Sequence, residues 1–310
     1  MLDLVRLQTL AAVVEHGSFS TAAETLHISQ PAVSRQIALL ERQLRVPLLV
    51  RTRGRVQPTP AGRVLLGHAT AAVDRLALAE AQVRAMVAER SGTVRLGSFF
   101  SALVHLSTEV AALVSEQHPG LRFTDDLVDR DTAYAKLGRG ELDLAVVFDH
   151  DFAPTAVPEV LQVTRLFADP VRVLMSVSHR LASEAEVDPA DLGEVTWIRA
   201  HDGSAAHLTE HVLARHRLDP PRLLAGHGDE PVETQALVAA GRGIAVTHEL
   251  TVLVDPNQLV LRPLAREPGV RHVAVASAVG PLSPATETVL EALLAIGERR
   301  RGQGRRPLTG

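Results

Sequence analysis

The run Leu26-His27-Ile28-Ser29-Gln30-Pro31-Ala32-Val33-Ser34-Arg35-Gln36-Ile37 describes a helix with two unlike faces. Ser29 is a suitable N-cap, and Pro31 fits the first turn because its missing N–H has no helical partner there. Val33, Ile37, Leu40 and Leu44 recur at spacings of four, three and four and are expected to face a core. The other side then presents Pro31, Ser34, Arg35, Ala38 and Arg42, with Gln30 in the first turn. Short and hydrogen-bonding side chains suit a helix seated in a DNA major groove, where Gln pairs with adenine and Arg with guanine or phosphate.

Upstream, a first helix runs from Asp3, a plausible cap, to about Glu15, with Leu4, Leu7, Ala11 and Val14 on one face. Gly17 ends it. A short second helix follows Phe19-Ser20 and stops near Leu26, with Thr21-Ala22-Ala23-Glu24 as its expected capping box. Downstream, Pro47 ends the helical pattern, and Leu48–Arg51 and Arg55–Gln57 flank the tight turn Thr52-Arg53-Gly54. A basic hairpin of this kind places Arg51, Arg53 and Arg55 against the DNA backbone or in a minor groove. Charge agrees. Residues 1–66 hold eight arginines against Asp3, Glu15, Glu24 and Glu41, although the whole chain is at −4. The last twelve residues add five arginines, so the stretch between them is strongly acidic. Only the head is built to meet phosphate.

This segment, together with Leu40-Glu41, Val46-Pro47-Leu48 and Thr59-Pro60-Ala61-Gly62, resembles the winged helix-turn-helix of LysR-type transcriptional regulators over nearly all of residues 2–66. The resemblance implies an all-α winged helix-turn-helix over 1–60, with the motif itself at about 19–38. It implies Gln30, Pro31, Ser34 and Arg35 as groove-facing residues and Arg51 and Arg53 as wing contacts. The sequence departs from the family at Arg45, usually glycine, at Leu49, usually phenylalanine, and at Pro58, usually aliphatic. The first adds charge; the other two bear on wing packing. The alternative is a three-helix module that binds protein.

Thr59 and Pro60 open a helix expected to reach Glu89, roughly 45 Å at 1.5 Å per residue. Leu65, Ala69, Ala72, Leu76, Ala79, Val83 and Met86 alternate at spacings of four and three, the stripe of a helix paired with another helix. Residues 60–89 are therefore expected to dimerise the chain, and LysR-type proteins pair through this helix; burial against the chain's own body is the alternative.

From residue 91 strands and helices alternate, the pattern of an α/β domain. Strands are expected at Thr93–Gly97, Leu121–Leu127, Leu142–Phe148, Val171–Val177, Val195–Ile198, Ile244–Thr247, Leu259–Leu261 and His272–Ala276. Helices are expected near 102–117, 132–137, 205–217, 231–240 and 284–300. Gly140-Glu141-Leu142-Asp143-Leu144-Ala145-Val146-Val147 and Ala240-Gly241-Arg242-Gly243-Ile244-Ala245-Val246 resemble the LysR effector domain. That implies a two-lobed, periplasmic-binding-protein-like domain over 91–300, with lobes at 91–163 plus 266–300 and at 164–265. Ligands of open α/β sheets bind beyond the carboxyl ends of strands. Ser98, Phe99, Phe100, Ser101, Phe148, His201, Asp202, Gly203, Ser204 and Thr247 are the expected effector contacts, and hydroxyls at helix N-termini suit an anionic small molecule. The expected partners are double-stranded operator DNA, further copies of the chain up to a dimer of dimers (a homotetramer), and RNA polymerase.

Other classes of function find weaker support. With no cysteine there is no disulfide or thiolate site. The N-terminus lacks a secretory pattern and no apolar run could span a bilayer, so a cytoplasmic protein is expected. The basic tail 301–310 is expected to be disordered. His207-Leu208-Thr209-Glu210-His211 matches a metallopeptidase pattern, but short matches arise easily among 14 histidines, and no third ligand is identifiable. The expectation is no enzyme, no metal and no cofactor. The alternatives are a metal-dependent hydrolase with an accessory DNA module and a passive small-molecule binder.

Overall fold

The computed structural model describes residues 2–52, 55–87, 92–199, 203–219, 223–225, 231–253, 257–266 and 269–303. It divides into two compact units, one of residues 1–88, 135–141 and 280–282 and the other of residues 89–134, 142–279 and 283–310.

In the first unit, α1 (Leu4–His16) opens at Asp3, whose carboxylate accepts the N–H of Val5 at 2.9 Å, and ends at Gly17 with φ 61°. α2 (Phe19–Thr25) is capped by Ser18, which accepts from the N–H of Thr21 at 3.3 Å. The cap therefore lies three residues before the Thr21 expected from sequence. α3 (Gln30–Leu44) buries Val33, Ile37 and Leu40 against Leu10, Val13 and Ala22. Each such side chain contributes about 1.5–3 kcal/mol. Leu44 is exposed instead of joining them, because it is the last helical residue and Arg45 turns the chain away in a left-handed conformation at φ 55°. On α1 the fully buried residues are Leu10 and Val13, with Leu7 beside them, while Leu4, Ala11 and Val14 are half-buried. The cause is a broad contact arc, since α1 packs on α2, α3 and the long helix that follows the wing.

The wing is an antiparallel hairpin of β1 (Leu49–Thr52) and β2 (Arg55–Pro58), in which Leu49 lies opposite Pro58. The two wing residues that depart from the family pattern thus face each other. The Glu41 carboxylate accepts the N–H groups of Leu48 and Leu49 at 2.7 and 3.2 Å, fixing the wing to α3. α4 (Pro60–Val87) is capped by Thr59, whose hydroxyl accepts the N–H of Gly62 at 3.0 Å. A Cβ at Gly62 would lie 2.1 Å from the Leu48 carbonyl oxygen, so only glycine lets α4 seat on the root of the wing.

The second unit is a two-lobed α/β domain. β3 (Thr93–Ser98) runs parallel to β4 (Arg122–Leu127) and to β5 (Leu144–His150). β3 is followed by one α-turn (α5, Phe100–Ala102), a π-helical segment (Leu103–Ser107) and α6 (Thr108–Gln117). α7 (Arg130–Gly138) follows β4. β6 (Leu161–Ser176) is the element that belongs to both lobes. Through Pro170 it pairs with β11 (Val270–Ala278); beyond it, β6 pairs with β9 (Ala245–His248) and β10 (Leu259–Pro263). The change of pairing falls at Pro170–Val171, seven residues later than the expected lobe division. The strand expected there begins only at Val171; the first half of β6 lies before Pro170, and proline is rare within a ladder. Here it stands where the strand passes from one partner set to another. The second lobe adds β7 (Trp197–Arg199) parallel to β8 (Leu223–Ala225), with α8 (Gly203–His216) and α9 (Pro231–Ala239). Each lobe has its own core, one around Leu96, Leu144 and Val275 and the other around Val173, Trp197 and Ile244. α10 (Pro284–Gln303) returns to the first lobe, so residues 301–303, expected to be disordered, are helical.

Candidate functional site

Two surfaces and a cavity hold most of the described residues singled out by sequence. On the free side of α3, Gln30, Pro31 and Arg35 are exposed, and the half-buried Ser34 accepts a hydrogen bond from Gln30 Nε2 at 3.1 Å. Arg51 and Arg55 are exposed on the wing, with the Arg51 guanidinium 6.0 Å from the centre of the Phe19 ring. Arg53 lies outside the described residues. Short donors on a convex helix beside a basic hairpin form a surface able to contact phosphates and base edges together.

The stripe on α4 divides. Leu65 is half-buried and Ala69 is 1% exposed, both packed into the core of the head, so these two are not free for a second helix as expected. Ala72, Leu76, Ala79 and Val83 are exposed, Leu76 by 50% and Val83 by 63%. The side chain of Met86 lies outside the described residues.

The cavity is in the second unit, between its lobes, with a volume of about 170 Å³. It is organised by Arg271. Along β11 the side chains alternate, and Arg271 falls in phase with Val273 and Val275 on the buried side. Its Nε donates to Asp169 Oδ2 at 3.2 Å, and its Nη2 bonds the same oxygen and Ser101 Oγ, the latter at 3.4 Å. The Asp169 carboxylate also accepts the N–H of Leu250 at 3.3 Å. The rings of Phe99 and Phe148 flank the guanidinium at 5.0 and 5.1 Å. Burial pulls the Arg271 pKa down and Asp169 pushes it back up. Phe99, Phe100, Ser101, Phe148 and Arg271 line one side, and Leu208, Pro231, Val246, Thr247, His248 and Thr251 the other.

A series of rings continues from this wall. Phe148 meets His150 edge-on at 5.4 Å, His150 stacks on Phe152 at 4.7 Å, and Phe152 stacks on His211 of α8 at 3.7 Å. His248 tilts against His150 at 5.2 Å. The Nε2 atoms of both histidines are buried without a hydrogen-bond partner. Burial first, then the charge of Arg271, lowers both pKa values: His150 to about 4, His248 well below its ordinary range.

Phe99, Phe100, Ser101, Phe148 and Thr247 were all singled out by sequence and line the cavity. Ser98 does not. Its hydroxyl lies within 3.3 Å of Ser107 Oγ and donates to Asp125 at 3.1 Å, because it points to the opposite side of β3 from its neighbour Phe99. His201 and Asp202 lie outside the described residues, as does the side chain of Ser204, which follows Gly203 at the start of α8. Arg271, Asp169, His150 and His248 were missed. A usable signal existed: Asp169 and Arg271 each keep the alternation of the apolar positions beside them, which puts a charge on a core face and demands a partner. In the metallopeptidase-like segment, Glu210 pairs with Arg199 at 3.0 Å, His207 is exposed and His211 serves in the ring stack. Among the described residues no group of three or more His, Asp or Glu side chains could hold a metal. No helix among them is long and apolar enough to cross a membrane.

Comparison with known proteins bears on both units. Residues 4–63 match the family described as bacterial regulatory helix-turn-helix protein, lysR family, and residues 88–297 match the LysR substrate binding domain. The chain is 30% identical to the Hca operon transcriptional activator HcaR of Escherichia coli over 269 residues, covering 85% of this chain and 88% of that protein. It is 31% identical to the small neutral protease regulatory protein of Streptomyces coelicolor, covering 98% and 96%. Among solved structures, full-length OxyR from Pseudomonas aeruginosa superposes with a TM-score of 0.60 at 21% identity, covering 96% of this chain and 95% of that one. Full-length CbnR complexed with its target DNA has a TM-score of 0.53 at 18% identity, covering 96% and 100%. These two share the fold.

Proposed function

The chain belongs to the LysR family of bacterial transcriptional regulators, and on that premise we propose that α3 and the wing carry its operator contacts while the cavity beside Arg271 receives its effector. It is a DNA-binding regulator with a small-molecule-binding domain, not an enzyme. The assignment of residues rests on the head surface. Gln30, Pro31, Ser34 and Arg35 lie on the side of α3 away from its core, with Arg51 and Arg55 on the adjoining wing.

An anionic effector is supported by Arg271, the cationic side chain among those that line the cavity. Its hydrogen bonds use Nε and Nη2, and among the described residues Nη1 makes none. The exposed half of the α4 stripe supports pairing with a second copy of the chain, and dimers of such dimers complete the assembly that presents paired heads to DNA. Effector binding shifts closure of the lobes, and so the bend imposed on DNA and the access of RNA polymerase.

Selection of bound sites from random DNA tests this reading. The expected product is a pair of related half-sites about one helical turn apart. Leu76→Glu is expected to yield monomers and weaken operator binding without touching a DNA contact. Binding without sequence preference would remove the role given to α3, and an unchanged dimer mass would remove that of α4.

A further inference from the structure

We propose that the cavity takes an organic anion about the size of one substituted six-membered ring, and that the anion enters with a proton that lodges on the His248–His150 pair. This rests on the cavity being the effector site.

Size comes from the volume. A cavity of about 150 Å³ holds benzene, and this one measures about 170 Å³. Phe99 and Phe148, with Leu208 and Val246 opposite, offer apolar walls to such a ring.

The proton comes from charge balance. Arg271 is already neutralised by Asp169, both being almost fully buried. An anion added beside this pair leaves the buried cluster negative, which a low-dielectric site tolerates poorly. His248 is 6% exposed, lines the cavity, and has a buried Nε2 with no partner. His150 stands behind it at 5.2 Å in the same condition. A proton taken up by either imidazole restores neutrality beside the anion. The groups facing His248 are Arg271 and His150; its neighbour Glu249 is engaged by Arg172 at 2.9 Å. Those facing His150 are His248, Arg271, Asp149, Asp151 and His211. Without a ligand both rings are neutral at neutral pH, held so by burial and by Arg271. An anion offsets the Arg271 field and raises their pKa. Binding then strengthens as pH falls, by up to about tenfold per pH unit between the free and bound values, and levels off outside that window.

Calorimetry on the full chain decides the matter. The probes are benzoate, 2-furoate and cyclohexanecarboxylate, each against its carboxamide, in two buffers of different ionisation enthalpy from pH 6 to 8. At least one carboxylate is expected to bind with uptake of close to one proton. Its affinity should rise about tenfold per unit fall in pH, while its amide binds more weakly and without pH dependence. His248→Gln keeps a hydrogen-bonding side chain and should flatten the profile. Carboxylate binding without proton uptake, amides that match their acids, no binding of any carboxylate, or a profile unchanged in both His248→Gln and His150→Gln would each overturn the proposal. Carboxylate binding that persists when Thr247→Phe fills the cavity would place the effector elsewhere, and so overturn the site assignment separately from the proton step.

Discussion

Arg35 and Arg271 sit on equally regular elements and meet opposite fates. Arg35 lies on the outer side of α3, out of phase with Val33, Ile37 and Leu40, and stays in water. Arg271 lies on β11 in phase with Val273 and Val275, and is enclosed by Asp169, Ser101 and two phenyl rings. An exposed arginine keeps its charge available to a polyanion at little cost to folding. A buried one is compatible with folding only if its counter-charge is buried with it. The two regions therefore pay for function differently: the head through its surface, the cleft through its core.

The sharpest way to break this contrast is Asp169→Ala. Stranding the Arg271 charge is expected to cost the second unit about 3–5 kcal/mol, measured by denaturant unfolding. Asp169→Leu with Arg271→Met removes both charges and should recover most of that loss while abolishing anion binding. A single-variant cost below about 1 kcal/mol, the range of exposed pairs, would mean that the pair is solvated, and the contrast with Arg35 would vanish.

Within the head, a smaller effect separates the helix from the wing. Arg35→Ala is expected to weaken operator binding by about 1–3 kcal/mol and to relax preference at one base pair. Arg51→Ala should weaken binding to all sequences alike and reduce the salt slope by about one. Titrations on operator and scrambled DNA at several salt concentrations distinguish them. Identical profiles for the two variants would assign both arginines to phosphate.

The same contrast explains what could be read from the residues alone. In the head, function lies within one local period: the apolar face of α3 defines its free face, and Gly17, Pro47 and Thr59 mark boundaries. Residue order sufficed there, apart from the cap of α2 at Ser18, the reach of the core around α1 and over Leu65 and Ala69, and the end of α3 at Leu44. In the cleft, function comes from pairs far apart in the chain. Asp169 meets Arg271 across the paired strands β6 and β11, 102 residues apart in the chain, and Phe152 finds His211 nearly sixty residues later. Periodicity places each partner on the buried side of its own element but cannot say which two meet. Ser98 shows the limit within a single strand, where a shift of one residue in the face assignment moves a side chain from the cavity to the opposite side.

Arg45 offers the smallest effect, and it tests whether the head carries strain for the sake of charge. It ends α3 at φ 55°, a conformation that suits glycine and costs an L-residue about 1–2 kcal/mol. Two terms oppose relief of that strain. Glycine has more unfolded-state freedom to lose, and a cation at a helix C-terminus contributes about 0.3–1 kcal/mol through the helix dipole. The balance predicts that Arg45→Gly stabilises the head by about 0.5 kcal/mol. Arg45→Asn, which tolerates the left-handed region better than arginine, should fall between. If Arg45 also meets phosphate, the glycine variant should bind DNA with a salt slope lower by about one. Stability that falls in Arg45→Gly would show that the terminal charge outweighs the backbone term, making Arg45 a helix-capping cation rather than a strained one.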